Sequence, residues 1–161
     1  MKKLFVILAF LSLSIAAFAQ SGRDIYNKYS DLPGVEAVYI SSAMFRMIGR
    51  LPDIEVASGK DVNLSSLIKS MSGFYVLNAP DSAVGDRLHT DVKKYIDSGS
   101  YELLMEAKDD GEVMRMYSLG DEKTVHSLVI LAKEKDETSF ICIDGKMNRE
   151  ELENILAETS R

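Results

Sequence analysis

Charge and cysteine content exclude several classes of protein. The 161 residues include 25 acidic and 19 basic ones, for a net charge of −6, and the absence of a basic cluster argues against binding to nucleic acid or to an anionic membrane surface. A single cysteine rules out an internal disulfide, and the length suits one domain.

The N-terminus has the pattern of an export signal. Lys2-Lys3 is a basic start, Leu4 to Ala17 is an apolar run, and Ala17-Phe18-Ala19 is a small-x-small cleavage site. We therefore expect residues 1–19 to be a signal peptide and residues 20–161 to form a single α+β domain.

The same stretch predicts where the protein works. Cleavage near Ala19-Gln20 would release the chain into the periplasm or another exported location. The apolar run is too short to span a bilayer comfortably. We expect no stable membrane insertion after cleavage, with a retained anchor as the alternative.

Helices and two short strands are predicted between residues 20 and 100. The evidence is the spacing of apolar residues by three and four, together with polar residues at capping positions. The predicted elements are a short helix Arg23–Ser30, a strand Val35–Ile40, a helix that starts at Ser41 or Ser42 and stops at Pro52, a loop Asp53–Asp61, a short helix Leu64–Met71, a strand Phe74–Leu77, and a long helix capped by Asp81 and ended by Ser98-Gly99.

Tyr101 to Asp144 is predicted to form four consecutive strands. Asp110-Gly111 is typical of a two-residue hairpin turn, and Gly120 to Lys123 and Lys135-Asp136 close two more turns. Asn148 then begins a last helix. The pattern predicts an α+β fold, with a single mixed sheet that ends in a four-strand antiparallel meander and helices packed mainly on one face.

The turns predict which side chains share a face of the sheet. Met105 should pair with Met116, and Leu119 with Thr124. The side expected to face the helices carries Leu103, Met105, Ala107, Met114, Met116, Val125, Val129, Leu131, Phe140 and Cys142. The opposite side carries the residues of a candidate interaction face, which are Leu104, Tyr117, His126, Leu128, Ile130, Ile141 and Ile143.

A solvated sheet face should be mostly polar, and the candidate interaction face is half apolar. One explanation is that a terminal helix or a loop covers it. The other is a docking patch for a partner, including a homodimer formed through this face.

No catalytic or metal-binding constellation is predicted. His89 lies on the polar side of the long helix, and the predicted strand pairing places Cys142 opposite Val129 and away from His126, whereas a cysteine nucleophile needs a base within hydrogen-bond reach. The sequence has no zinc spacing, calcium loop or phosphate-binding loop. We therefore predict no catalytic residues, no metal and no cofactor.

Two blocks of sequence resemble a known family. They run from Tyr26-Asn27-Lys28-Tyr29-Ser30 through Val38-Tyr39-Ile40-Ser41, and from Tyr101 to Glu112. Together they are similar to the exported bacterial family called domain of unknown function 4252. The resemblance implies an envelope protein of Gram-negative bacteria of the Bacteroidetes type, and it supplies no catalytic residues.

Two functional hypotheses follow. The first is an exported, non-enzymatic binding module for an unknown protein or small ligand, using the candidate interaction face. The alternative is a periplasmic, hydrolase-like enzyme whose site the sequence does not reveal.

Overall fold

The computed structural model describes residues 21–48 and 64–159. The predicted signal peptide and the predicted loop Asp53–Asp61 lie outside these residues. The described elements are α1 Gly22–Tyr29, β1 Glu36–Ser41, α2 Ser42–Ile48, α3 Leu64–Ser70, β2 Met71–Ala79, α4 Ser82–Ser98, β3 Glu102–Asp109, β4 Glu112–Gly120, β5 Thr124–Lys133, β6 Thr138–Asn148 and α5 Arg149–Thr159.

Within the described residues, six strands form one sheet in the order β1-β2-β6-β5-β4-β3, and every neighbouring pair is antiparallel. The α+β class is therefore confirmed, but the prediction of a mixed sheet is wrong. The turns between β3 and β6 are short, and short turns join antiparallel neighbours. The earlier strands are separated by helices, so the local sequence does not determine their direction.

The first face of the sheet packs against α1 and α4. Ser21 and Asp24 form a capping box at the start of α1, and Asp81 accepts a hydrogen bond from the Val84 backbone at the start of α4. Both helices turn an apolar stripe inward. This core contains Ile25, Tyr29, Tyr75, Leu77, Leu88, Val92, Tyr95, Ile96, Tyr117, Val129, Leu131, Phe140 and Cys142.

The second face is also covered in part. Leu67 of α3 and Leu152 of α5 pack against a cluster of sheet residues that includes Met116 and Leu128, and α2 contacts β1, β2 and α3. The prediction that helices pack mainly on one face is therefore wrong. The explanation that a terminal helix covers the candidate interaction face holds for the part under Leu152.

The first hairpin has the predicted turn and register. Asp110 and Gly111 both adopt positive φ, at 39° and 88°, which is the conformation of a hairpin turn matched to strand twist. Met105 pairs with Met116 and Val129 with Cys142, as predicted.

Two irregularities change the faces elsewhere. The register shifts between Leu103 and Met105 and between Val125 and Ser127. Leu119 pairs with Ser127 and not with the predicted Thr124, because Gly120 pairs with Val125 at the turn and His126 is an extra residue in β5. An extra residue in one strand moves the side chains beyond it to the other face. The predicted core side is therefore wrong as a set.

Eight residues of that predicted side fall into three groups. Val129, Leu131, Phe140 and Cys142 lie in the core of the first face. Met116 and Val125 lie in the cluster of the second face, and Leu103 and Met105 are exposed.

Candidate interaction surfaces at the sheet edges

The exposed large apolar side chains of the described residues lie at the two edges of the sheet. We call Val38 and Tyr39 of β1 with Met44 and Met47 of α2 the β1 edge. The β3 edge consists of Leu103, Leu104 and Met105. Their exposed fractions run from 41% to 61%.

A row of apolar residues on the second face connects these edges. Each member is the direct cross-strand neighbour of the next, so their side chains point to the same side. From β1 to β3 the row contains Val38, Val76, Ile141, Ile130, Met116 and Met105. Its centre is buried or half-buried, whereas Val38 and Met105 at its ends are 49% and 41% exposed. The row therefore reaches solvent at both edges.

The β1 edge is aromatic on the first face. The ring of Tyr39 stacks on Tyr75 with centroids 5.2 Å apart, and Tyr26 packs beside both. The Arg23 guanidinium lies 5.9 Å from the centre of the Tyr39 ring, within the range of a cation–π contact. Burial, with the nearby Asp144 carboxylate, raises the pKa of Tyr75 to about 12, so the Tyr75 hydroxyl keeps its proton at physiological pH.

The β3 edge is charged as well as apolar. Every residue of β3 is exposed, and Leu104 sits at the register shift. Glu106 accepts from Arg115 Nε at 2.6 Å and lies 2.7 Å from Lys108 Nζ. Hydrogen bonds from Lys108 and Arg115 hold the pKa of Glu106 below its ordinary value.

The predicted interaction face is divided by the fold. Leu128, Ile130, Ile141 and Ile143 do share the second face; Leu128 is buried in its cluster, and Ile130 and Ile143 pack against that cluster. Tyr117 lies in the core of the opposite face, so the prediction that all seven residues share a face is wrong.

The two remaining members of the predicted face sit at irregular positions. Leu104 and His126 are exposed where the strands change register. Leu104 is the one residue of the β1 edge and the β3 edge that was also in the predicted interaction face. The apolar pair Val38-Tyr39 and the spacing of Met44 and Met47 are the sequence signals that would have indicated the β1 edge.

Cys142 lies in a buried polar cluster that the sequence prediction missed. Its Sγ donates to Asp144 Oδ1 at 3.4 Å and lies 3.5 Å from Ser127 Oγ, while Tyr95 and Tyr101 hydrogen-bond each other through their hydroxyls. Burial, reinforced by the Asp144 carboxylate, raises the pKa of the thiol. The thiol therefore keeps its proton, and a protonated thiol is a poor nucleophile. The sequence signal for this cluster is the presence of two polar residues, Ser127 and Asp144, in otherwise apolar strands.

Neither histidine is one of the hydrogen-bonding partners described for the Cys142 thiol, which are Ser127 and Asp144. His126 is exposed, and His89 is half-buried on α4. Burial, with the nearby Lys133, lowers the pKa of His89. Among residues 21–48 and 64–159, no group of three or more histidine, cysteine or carboxylate side chains is arranged to hold a metal ion.

An open groove lies between α1 and α4, with a volume of about 540 Å³. Asp91 at its floor accepts hydrogen bonds from Lys28 Nζ and from the Tyr29 hydroxyl, both at 2.6 Å. Burial raises the pKa of Asp91, but these two hydrogen bonds outweigh it and hold the pKa below its ordinary value. In this groove the charges of Lys28 and Asp91 therefore already neutralise each other.

The fold and its exposed edges define a small antiparallel α+β domain with apolar surface at both ends of its sheet. Within the described part of the chain, no helix is both long and apolar enough to cross a membrane. The chain belongs to the family described as Domain of unknown function (DUF4252), which matches residues 29–155. No curated protein and no solved structure matches it.

Proposed function

We propose that this protein is an exported, non-enzymatic interaction module that binds protein partners through the edges of its sheet. The observation that carries the proposal is the location of the exposed large apolar side chains, which lie at the β1 edge and the β3 edge. Apolar surface concentrated in patches is typical of protein interaction sites, whereas scattered single residues are not.

The exposed side chains at these edges offer apolar area that a partner can bury. Fully burying a Val, Leu or Met side chain stabilises by about 1.5–3 kcal/mol, and these side chains retain roughly half of their surface. A partner that covered the four residues of the β1 edge would gain on the order of 4 kcal/mol before the costs of association. Pairing of backbone groups along an edge strand would add to this gain.

Export is proposed from the N-terminal pattern. The structure is compatible with cleavage before Gln20 because the first helix depends on Ser21. Ser21 Oγ accepts from the backbone of Asp24, and the Asp24 side chain accepts from the backbone of Ser21. A chain that starts at Gln20 keeps both halves of this capping box.

A thiol-based version of the enzyme alternative is disfavoured by the surroundings of Cys142. Its raised pKa is opposite to the lowered pKa that activates a catalytic cysteine.

Site-specific photocrosslinking in the native bacterium tests the binding proposal. A photoreactive amino acid would replace Val38 or Met105, with exposed Asp136 in the turn between β5 and β6 as the matched control. We expect covalent protein adducts at the two edge positions and little at Asp136. Equal adduct formation at all three positions would contradict the proposal.

Export is tested separately by cell fractionation and intact mass. The expected product in the exported fraction begins at Gln20. A full-length chain that stays in the cytoplasm would contradict export without affecting the binding proposal.

A further inference from the structure

The two edges of the sheet differ in how they are protected. An edge strand with free backbone groups invites pairing, and proteins prevent this with charges, prolines and bulges. β3 carries four charged residues, Glu102, Glu106, Lys108 and Asp109, and its register is broken at Leu104. It is therefore a protected edge.

β1 has none of these devices along its centre. Its register with β2 is unbroken from Glu36 to Ser41, and Glu36, at its first position, is its one charged residue. It contains no lysine and no proline, while Val38 and Tyr39 at its middle are exposed.

We propose that a second copy of this chain pairs with β1, so that two β1 strands run antiparallel about a two-fold axis and two six-stranded sheets become one. The inference rests on the proposed function and names the partner of one edge. We choose β1 because its centre lacks charged residues like those that protect β3.

The geometry of a two-fold pair selects the register. Directly opposed residues of an antiparallel pair point to the same face, so Val38, on the second face, must meet a residue of the second face. Centring the axis on Val38 places the two copies of Val38 opposite each other and Tyr39 opposite Ala37 of the second copy. Glu36 then faces Ile40 of the second copy, and no like charges are opposed.

The neighbouring register is less favourable because of Arg23. Centring the axis on Tyr39 would place the two Tyr39 rings side by side, and each ring carries an Arg23 guanidinium 5.9 Å from its centre. The two Arg23 guanidinium groups, which belong to α1 of each copy, would then approach each other, and the juxtaposition of like charges at an interface is unfavourable. The Val38 register keeps them apart.

The Val38 register also continues the apolar row. The two rows would join at the opposed Val38 side chains and run through all twelve strands, which removes the exposed end of the row at this edge. Because the chain is acidic overall, with a net charge of −6, two copies should meet where acidic residues are sparse. β1 satisfies this condition.

Light scattering and sedimentation on the mature chain, from about 1 μM to about 1 mM, test the inference. We expect a monomer–dimer equilibrium. Val38→Lys and Val38→Glu should each weaken dimerisation by more than roughly tenfold, because each places two like charges at the axis. An equimolar mixture of these two variants should restore the dimer as a heterodimer.

Met105→Lys is the matched control at the other end of the row, and it should leave the dimer intact. Circular dichroism checks that each variant is folded. Val38→Cys provides a second readout, because with an added mild oxidant to accept the two electrons it should form an intermolecular disulfide, whereas Met105→Cys should not. A wild-type chain that is monomeric throughout, a dimer unaffected by Val38→Lys, or a dimer dissolved by Met105→Lys would each overturn the inference.

The dimerisation test and the photocrosslinking test can fail independently of each other. Photocrosslinks from Val38 to a different protein, with a monomeric purified chain, would overturn self-pairing and retain the interaction module. Absence of adducts at both edges would remove the module itself.

Discussion

A glycine at the start of α1 lies against the buried thiol, and this contact can be tested by mutation. A Cβ atom on Gly22 would be 2.4 Å from Cys142 Sγ and 3.1 Å from Cys142 Cβ. Non-bonded atoms of this size are comfortable at about 3.5–4.0 Å, so Gly22→Ala requires a shift of about 1 Å. Cys142 is fully buried and held by Ser127 and Asp144, which makes rotation of its side chain costly.

We expect Gly22→Ala to lower the free energy of unfolding by about 1–2 kcal/mol. Overpacking of a core costs about 1–3 kcal/mol, and part of this is offset because alanine favours a helix over glycine by up to about 1 kcal/mol. Cys142→Ala alone should cost about 1 kcal/mol through lost contacts.

The double variant decides the argument. Without Sγ the nearest atom is Cys142 Cβ at 3.1 Å, a contact that a small shift relieves. In the Cys142→Ala background the remaining overpacking should be offset by the helix preference of alanine, so Gly22→Ala should be close to neutral. Urea unfolding of the four proteins gives the coupling energy, expected at about 1–2 kcal/mol. Additive effects of the two substitutions would refute the proposed contact between α1 and the thiol.

Three further predictions follow from the described contacts. The pKa of Asp91 is lowered in the folded state, so Asp91 stabilises the fold above its ordinary pKa of 3.8, and this stabilisation is lost as the pH falls below that value. Asp91→Asn should lower the free energy of unfolding by about 1 kcal/mol at pH 7. The free energy of unfolding of this variant should also decrease less steeply at acid pH. The Cys142 thiol, whose pKa is raised by burial, should resist alkylation at pH 8 until urea unfolds the chain, and rapid labelling of the native protein would contradict this. Gly111→Ala should destabilise by about 1 kcal/mol in the same urea assay, because an added Cβ meets no atom within 4 Å and only the positive φ opposes it; an unchanged stability would mean that the turn adopts another conformation.

The division of the predicted interaction face also affects how it can be tested. Ile130→Glu looks like a surface substitution from the sequence, but Ile130 packs against the second cluster. A carboxylate there should destabilise the fold by about 2 kcal/mol. Loss of binding in that variant would therefore reflect unfolding, and Val38 at the exposed end of the row is the better position.

Local hydrogen bonding is what the sequence determined by itself. The Asp110-Gly111 turn, the cap at Asp81 and the cap at Asn148, which accepts from the Glu151 backbone at 3.1 Å, each depend on residues within four positions of one another. The pairing of Val129 with Cys142 follows from the tight turn after Lys133, because the register is unbroken between that turn and this pair. These features were predictable because the interactions that create them are short-range.

The tertiary structure decided the rest. The irregularities at Leu104 and His126 move the side chains beyond them to the other face. The residue types at these two positions do not predict an extra residue in the strand. The direction of β1 and β2 and the covering of the second face by Leu67 and Leu152 depend on packing between segments far apart in the chain. Long-range packing chooses among arrangements that local preferences leave nearly equal, and the exposed β1 edge is one result of that choice.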